Sequence, residues 1–109
     1  MLSTHVLDTS TGQPAAGIAV TLFAIDGNVR THVAAAVTNA DGRTDNPMAD
    51  VLAPGTYELA FGVAPYFAAK NVAAFYDEIT IRFRIGEDNR KYHVPLLLAP
   101  WGYSTYRGS

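Results

Sequence analysis

The sequence predicts an all-β sandwich or barrel, and three observations carry that prediction. Short runs suited to pleated strands recur along the chain, divided by clusters of Gly, Pro, Asn and Asp. One of them, Glu78 to Ile85, alternates cleanly, with Ile79, Ile81, Phe83 and Ile85 on one side and Thr80, Arg82 and Arg84 on the other. A single stretch, Pro65 to Asn71, reads as helix. The 109 residues suit one domain, spanning 1–109.

Taken in order, Leu2 to Asp8 is a first strand whose faces are Leu2, Thr4, Val6 and Ser3, His5, Leu7. Thr11-Gly12-Gln13-Pro14 signals a turn. Ile18 to Ile25 is a second strand, with Ile18, Val20, Leu22 and Ala24 on one side, and Asp26-Gly27-Asn28 turns the chain. Arg30 to Thr38 is a third strand, closed by Asn39-Ala40-Asp41-Gly42, where Asp-Gly favours positive φ. Thr44 to Pro54 is polar and irregular, with at most a short edge strand at Asp50-Val51-Leu52. Thr56 to Gly62 is a further strand. The helix follows, with proline in its first turn and Tyr66-Phe67-Ala68-Ala69-Lys70 behind it. After Glu78 to Ile85, Glu87-Asp88-Asn89 is a solvated loop. Arg90 to Leu98 and Gly102 to Arg107 are the last strands. Pro95 inside a strand implies an edge position or a locally broken ladder.

Composition narrows the function. A net charge of -2 offers no basic field for a phosphate backbone, so nucleic acid is not an expected partner. The absence of cysteine excludes disulfides, thiolate catalysis and cysteine–zinc sites. No apolar run approaches the roughly 20 residues that span a bilayer. With no secretory pattern at the start, the expected location is cytoplasmic.

The candidates for chemistry come from strand parity. If Val6 points into the core, His5 points out; if Val94, Leu96 and Leu98 point in, His93 points out beside Pro95 and Leu97. An apolar outer face carrying histidines suits a partly dry subunit interface, where imidazole acts as acid, base or ligand. Strand histidines are mostly structural, however, and parity alone does not bring these two together. His5, His32 and His93 lack metal-ligand spacing, so no metal is predicted, and His32 reads as an exposed residue. Arg43 follows the Asp41-Gly42 turn; it is either a solvated loop arginine or a guanidinium able to bind oxygens of a planar polar ligand. Arg82 and Arg84 read as a solvated face. Ser104 and Tyr106 share one face near the end.

Three segments resemble the 5-hydroxyisourate hydrolases. They are Leu2-Ser3-Thr4-His5-Val6-Leu7-Asp8-Thr9 with Thr11-Gly12-Gln13-Pro14-Ala15, the central Thr38-Asn39-Ala40-Asp41-Gly42-Arg43, and Tyr92-His93-Val94-Pro95-Leu96-Leu97-Leu98 with the ending Gly102 to Ser109. The resemblance covers essentially the whole chain. It implies a transthyretin-like sandwich of two four-stranded sheets with one short helix after the fifth strand, and a homotetramer built as a dimer of dimers. It also implies active sites in the channel where the dimers meet, and hydrolytic opening of a ring amide in urate breakdown, without a cofactor. Matched residue by residue, the site falls on His5, Arg43, His93 and Tyr106, with Ser104 and Ser109 as neighbours. On this reading His93 or His5 takes a proton from the attacking water, Arg43 stabilises charge on the carbonyl, and Tyr106 shapes the pocket. The carboxylate of Ser109 is expected near the channel. Ala99-Pro100-Trp101 and Tyr76-Asp77 depart from the family's usual residues, both outside the site motifs. The rival readings are a transthyretin-type carrier of a small ligand and a purely structural sandwich domain; fold alone does not choose among them.

Overall fold

A computed structural model describes residues 1–87 and 90–109. Asp88 and Asn89 of the expected solvated loop lie outside the described residues. Among the described residues the elements are β1 (Leu2–Asp8), β2 (Gln13–Pro14), β3 (Ala19–Asp26), β4 (Val29–Val37), β5 (Gly55–Gly62), α1 (Ala64–Ala69), β6 (Ile79–Ile85), β7 (Tyr92–Ala99) and β8 (Gly102–Thr105). They form two four-stranded sheets, ordered β2-β1-β7-β8 and β4-β3-β5-β6. Every neighbouring pair is antiparallel except β1 and β7.

The inward faces meet in one core that includes Leu2, Val6, Val20, Leu22, Leu59, Phe61, Ile79, Leu96 and Leu98. β1 shows the expected alternation without a break: Leu2, Thr4, Val6 and Asp8 are buried and Ser3, His5 and Leu7 half-buried. The buried polar groups are satisfied. Thr4 donates its hydroxyl to the carbonyl of Val94 at 2.7 Å. Thr38 donates to the carbonyl of Ala15 at 2.7 Å and accepts from the amide of Ile18 at 2.9 Å. That cross-link explains why Thr38 leaves the strand the sequence assigned to it.

Four local expectations are corrected or resolved. Gln13 and Pro14 belong to a strand and not to a turn: the chain reverses earlier, where Gly12, at φ 73°, donates to the carbonyl of Asp8, and then pairs back on β1. Asp50-Val51-Leu52 is not a strand; Met48 and Ala49 take up the hydrogen bonds of Leu2, where β1 begins, leaving residues 50–52 no strand to pair with. The helix stops at Ala69, short of Asn71, because Asn71 adopts φ 57° and ends it. Pro95 lies in an interior strand, and the broken-ladder alternative holds. The β7–β8 pairing covers Leu96 to Ala99, lapses at Pro95, and returns as a single bridge between His93 and Gly108. Arg82 and Arg84 are exposed as expected, and Arg82 pairs with the buried Glu58 at 2.7 Å. No helix among the described residues is long and apolar enough to cross a membrane.

The helix is fastened to the end of β1 by Asp8. Its carboxylate, only 1% exposed, accepts from the Ser10 amide at 2.9 Å, from the Ser10 hydroxyl, and from the Tyr66 hydroxyl at 2.8 Å. Burial pushes the Asp8 pKa up, but these hydrogen bonds outweigh it and hold the group below its ordinary 3.8. Burial and the facing carboxylate push Tyr66 up to about 12. A carboxylate pKa depressed by folding stabilises the fold above its unfolded value and loses that contribution as pH falls through the folded value. Tyr66→Phe is therefore expected to lower the unfolding free energy by about 1–3 kcal/mol at neutral pH. Measured by urea unfolding, the deficit should shrink in acid as Asp8 protonates; a deficit that is constant with pH would contradict the coupling.

Candidate functional site

The parallel pairing of β1 and β7 sets Ser3 level with His93, His5 with Pro95, and Leu7 with Leu97. Side chains level with one another on paired strands project to the same side. Since the alternate residues of both strands are buried, Ser3, His5, His93 and Leu97 share the outer face. His5 and His93 are diagonal neighbours on adjacent strands, their backbones roughly 8 Å apart from standard strand spacing. The expectation from parity thus holds, and the structure adds the proximity that parity could not supply.

Arg43 joins them from the other side of β1. It forms an isolated antiparallel bridge with His5, next to a 2.8 Å hydrogen bond from the Val6 amide to the Gly42 carbonyl. The turn that presents it closes on itself: Asn39 donates its amide to the Arg43 carbonyl at 2.7 Å, and its side-chain oxygen accepts from Asp41 at 2.9 Å. Gly42 is required here. Its φ is 75°, and a Cβ would stand 2.4 Å from the carbonyl oxygen of Val6.

His93 is held on both edges of its ring. Ser3 Oγ lies 2.8 Å from Nδ1. On the other edge is Gly108, whose amide donates to the His93 carbonyl at 2.7 Å and where a Cβ would stand 2.4 Å from the ring's Cδ2. The chain's ending therefore reaches the histidine through a residue with no side chain. Burial lowers the His93 pKa from its ordinary 6.5, and the nearby charges of Arg43, His5 and Lys91 lower it further, against a raising effect of a backbone hydrogen bond with Ser3. His93 is consequently a neutral imidazole near neutral pH, with Arg43 and His5 within electrostatic reach.

The other expected residues divide. Tyr106 directly follows Thr105, the last paired residue of β8, and is 59% exposed. Ser104 is level with Leu97, on the same face but on the side of His5 away from His93. Ser109 is exposed beyond Gly108. Arg107 is turned away, its guanidinium 4.5 Å over the ring of Tyr92. His32 is exposed on β4, in the other sheet, with its ring edge-on to Phe23. Ser3 and Gly108 were not singled out from sequence; the signal for Ser3 was its place on the same strand face as His5. The group lies on an open face of the single chain. A cavity of about 290 Å³ between β6, β7 and residues 105–107 includes Tyr106 in its wall but neither histidine nor Arg43. Among the described residues, no three His, Cys, Asp or Glu gather as a metal site. Chemically, the arrangement offers a neutral imidazole able to take a proton, beside a guanidinium able to receive a developing oxyanion.

Comparison with known proteins places this geometry in context. Residues 2–108 match the HIUase/Transthyretin family. A protein of Deinococcus radiodurans named 5-hydroxyisourate hydrolase is 54% identical, over 99% of this chain and 95% of its own length. Among solved structures, the 5-hydroxyisourate hydrolase of Klebsiella pneumoniae is 42% identical, with a TM-score of 0.86 over 99% of this chain and 98% of that one. Sea bream transthyretin, solved with thyroxine, has a TM-score of 0.91 at 26% identity, over 98% of this chain and 93% of that one. An (S)-allantoin synthase structure is 39% identical with a TM-score of 0.89; it covers 99% of this chain, which spans 43% of that longer chain.

Proposed function

The chain belongs to the HIUase/Transthyretin family, and we propose that it hydrolyses 5-hydroxyisourate at the face shared by His5, Arg43 and His93. The observation that carries this reading is the pairing of the strands of His5 and His93 with Arg43 bridged to His5, where burial and the Arg43 charge lower the His93 pKa. Fold similarity does not separate hydrolase from carrier, because both adopt this sandwich. Sequence does favour the hydrolase: identity is 54% to a named hydrolase and 26% to the thyroxine-bound transthyretin.

In the proposed reaction a water oxygen attacks the ring carbonyl carbon while His93 Nε2 takes one of its protons. Arg43 receives the negative charge that grows on the carbonyl oxygen. The ring C–N bond then breaks, the proton from His93 passes to the departing nitrogen, and the new carboxylic acid on the opened product loses its remaining proton to solvent. His5, in the same row as Arg43, binds the substrate beside it, and Tyr106 bounds the ring; Ser104 and Ser109 are peripheral. General base catalysis of this kind contributes roughly a hundred- to ten-thousand-fold.

An open face admits water freely, whereas a closed site strengthens every charge interaction within it. In the homotetramer proposed here, a second copy of the chain laid over this face would close it. The test of function is turnover. The protein at far below one equivalent, added to 5-hydroxyisourate freshly made from urate by urate oxidase, should consume many equivalents faster than spontaneous decay. Consumption no faster than that decay, with ligand bound only stoichiometrically, would select the carrier.

A further inference from the structure

We propose that Ser3 is a positioning residue that holds the proton of His93 on Nδ1 and so leaves the lone pair on Nε2, the atom facing off the sheet. The inference rests on the hydrolase reading and deepens it by assigning which nitrogen acts.

Ring geometry comes first. Of the ring atoms next to the Cγ attachment, Nδ1 lies 2.8 Å from Ser3 Oγ, and Cδ2 is packed on Gly108. Both near edges are occupied by protein, so Nε2 lies on the side of the ring away from the backbone. The contact is fixed by the strands themselves: Ser3 and His93 are level on parallel neighbours, so a short side chain suffices. A long, flexible partner would lose more rotamer freedom in holding the same ring.

The direction of the hydrogen bond decides the chemistry. A neutral imidazole carries one proton; if it sits on Nδ1, Nε2 is an acceptor, and if the serine hydroxyl donates to Nδ1, Nε2 carries the proton and cannot take one from water. The Ser3 hydroxyl oxygen, 2.8 Å from Nδ1, is placed to accept a proton held there. Nε2 is the nitrogen left open to water, so a base role for His93 requires its proton on Nδ1, with the Ser3 hydroxyl oxygen as the acceptor that Ser3→Ala removes. The charged or titratable groups acting on the ring are Arg43, His5 and Lys91, and all three oppose a second proton.

The test pairs kinetics with nitrogen NMR of the three histidines, His5, His32 and His93, in the parent, Ser3→Ala and Ser3→Thr proteins at neutral pH. His93 of the parent should show the Nδ1–H form. Ser3→Ala should shift it toward Nε2–H and lower kcat by about tenfold or more with KM little changed, because an imidazole in the wrong tautomer cannot act as the base. Ser3→Thr, which keeps the hydroxyl, should restore both. A parent in the Nε2–H form, or a Ser3→Ala protein with unchanged tautomer and unchanged kcat, overturns the proposal. The NMR arm needs no turnover: an Nδ1–H form that depends on Ser3, in a protein that does not consume substrate, would fault the hydrolase reading and leave the Ser3–His93 relation standing.

Discussion

His93→Asn is expected to lower kcat/KM for 5-hydroxyisourate by roughly a hundred- to ten-thousand-fold, the range of a lost general base. Asparagine keeps a polar group of similar reach beside Ser3 and leaves the backbone bridge to Gly108 intact, so the fold should hold. What it lacks is a site that takes up a proton near neutrality. His5→Asn should also reduce turnover, through substrate binding. The internal control is His32→Asn, because His32 is exposed on the other sheet and touches none of these residues. Rates are compared with thermal unfolding of each variant. A stable His93→Asn protein with near-parental turnover would remove His93 from the reaction.

Arg43→Gln is the second large effect. Loss of a charged donor to a growing oxyanion costs roughly a hundred- to a thousandfold in kcat. This substitution also changes the base. The Arg43 charge is one of the causes that lower the His93 pKa. Removing it raises that pKa toward the ordinary value, so His93 protonates at higher pH and the acid limb of the residual activity moves upward. The pH profile of the variant, measured beside that of the parent, reads both effects. An acid limb that stays in place or moves downward would show that Arg43 and His93 do not share a site.

Different parts of this molecule were legible in the sequence to different degrees, for physical reasons. β1 and β6 could be read almost to the residue because one face of each is buried, and a buried face imposes a period of two. β2 could not, since two residues hold no period; it exists because the turn at Gly12 returns the chain onto β1. Asp50 to Leu52 has strand-like residues but no strand beside it, and composition does not report the lack of a partner. At the candidate site, parity placed His5 and His93 on outer faces. Their proximity depends on a parallel pairing between segments 90 residues apart, which no local pattern encodes. The family resemblance supplied that grouping, and the bridge from His5 to Arg43 extends it. Ser3 went unremarked because a serine on a strand is ordinary until the register sets it against an imidazole.

The central claim is that a neutral His93, kept so by burial and by its cationic neighbours, takes the proton from water. The pH dependence of kcat/KM for the parent protein tests it most directly, since that profile reports the free protein's essential base. The account predicts activity that falls on acidification with an inflection below 6.5, the ordinary histidine value. An inflection at or above 6.5, or activity that rises as the pH is lowered, would contradict it.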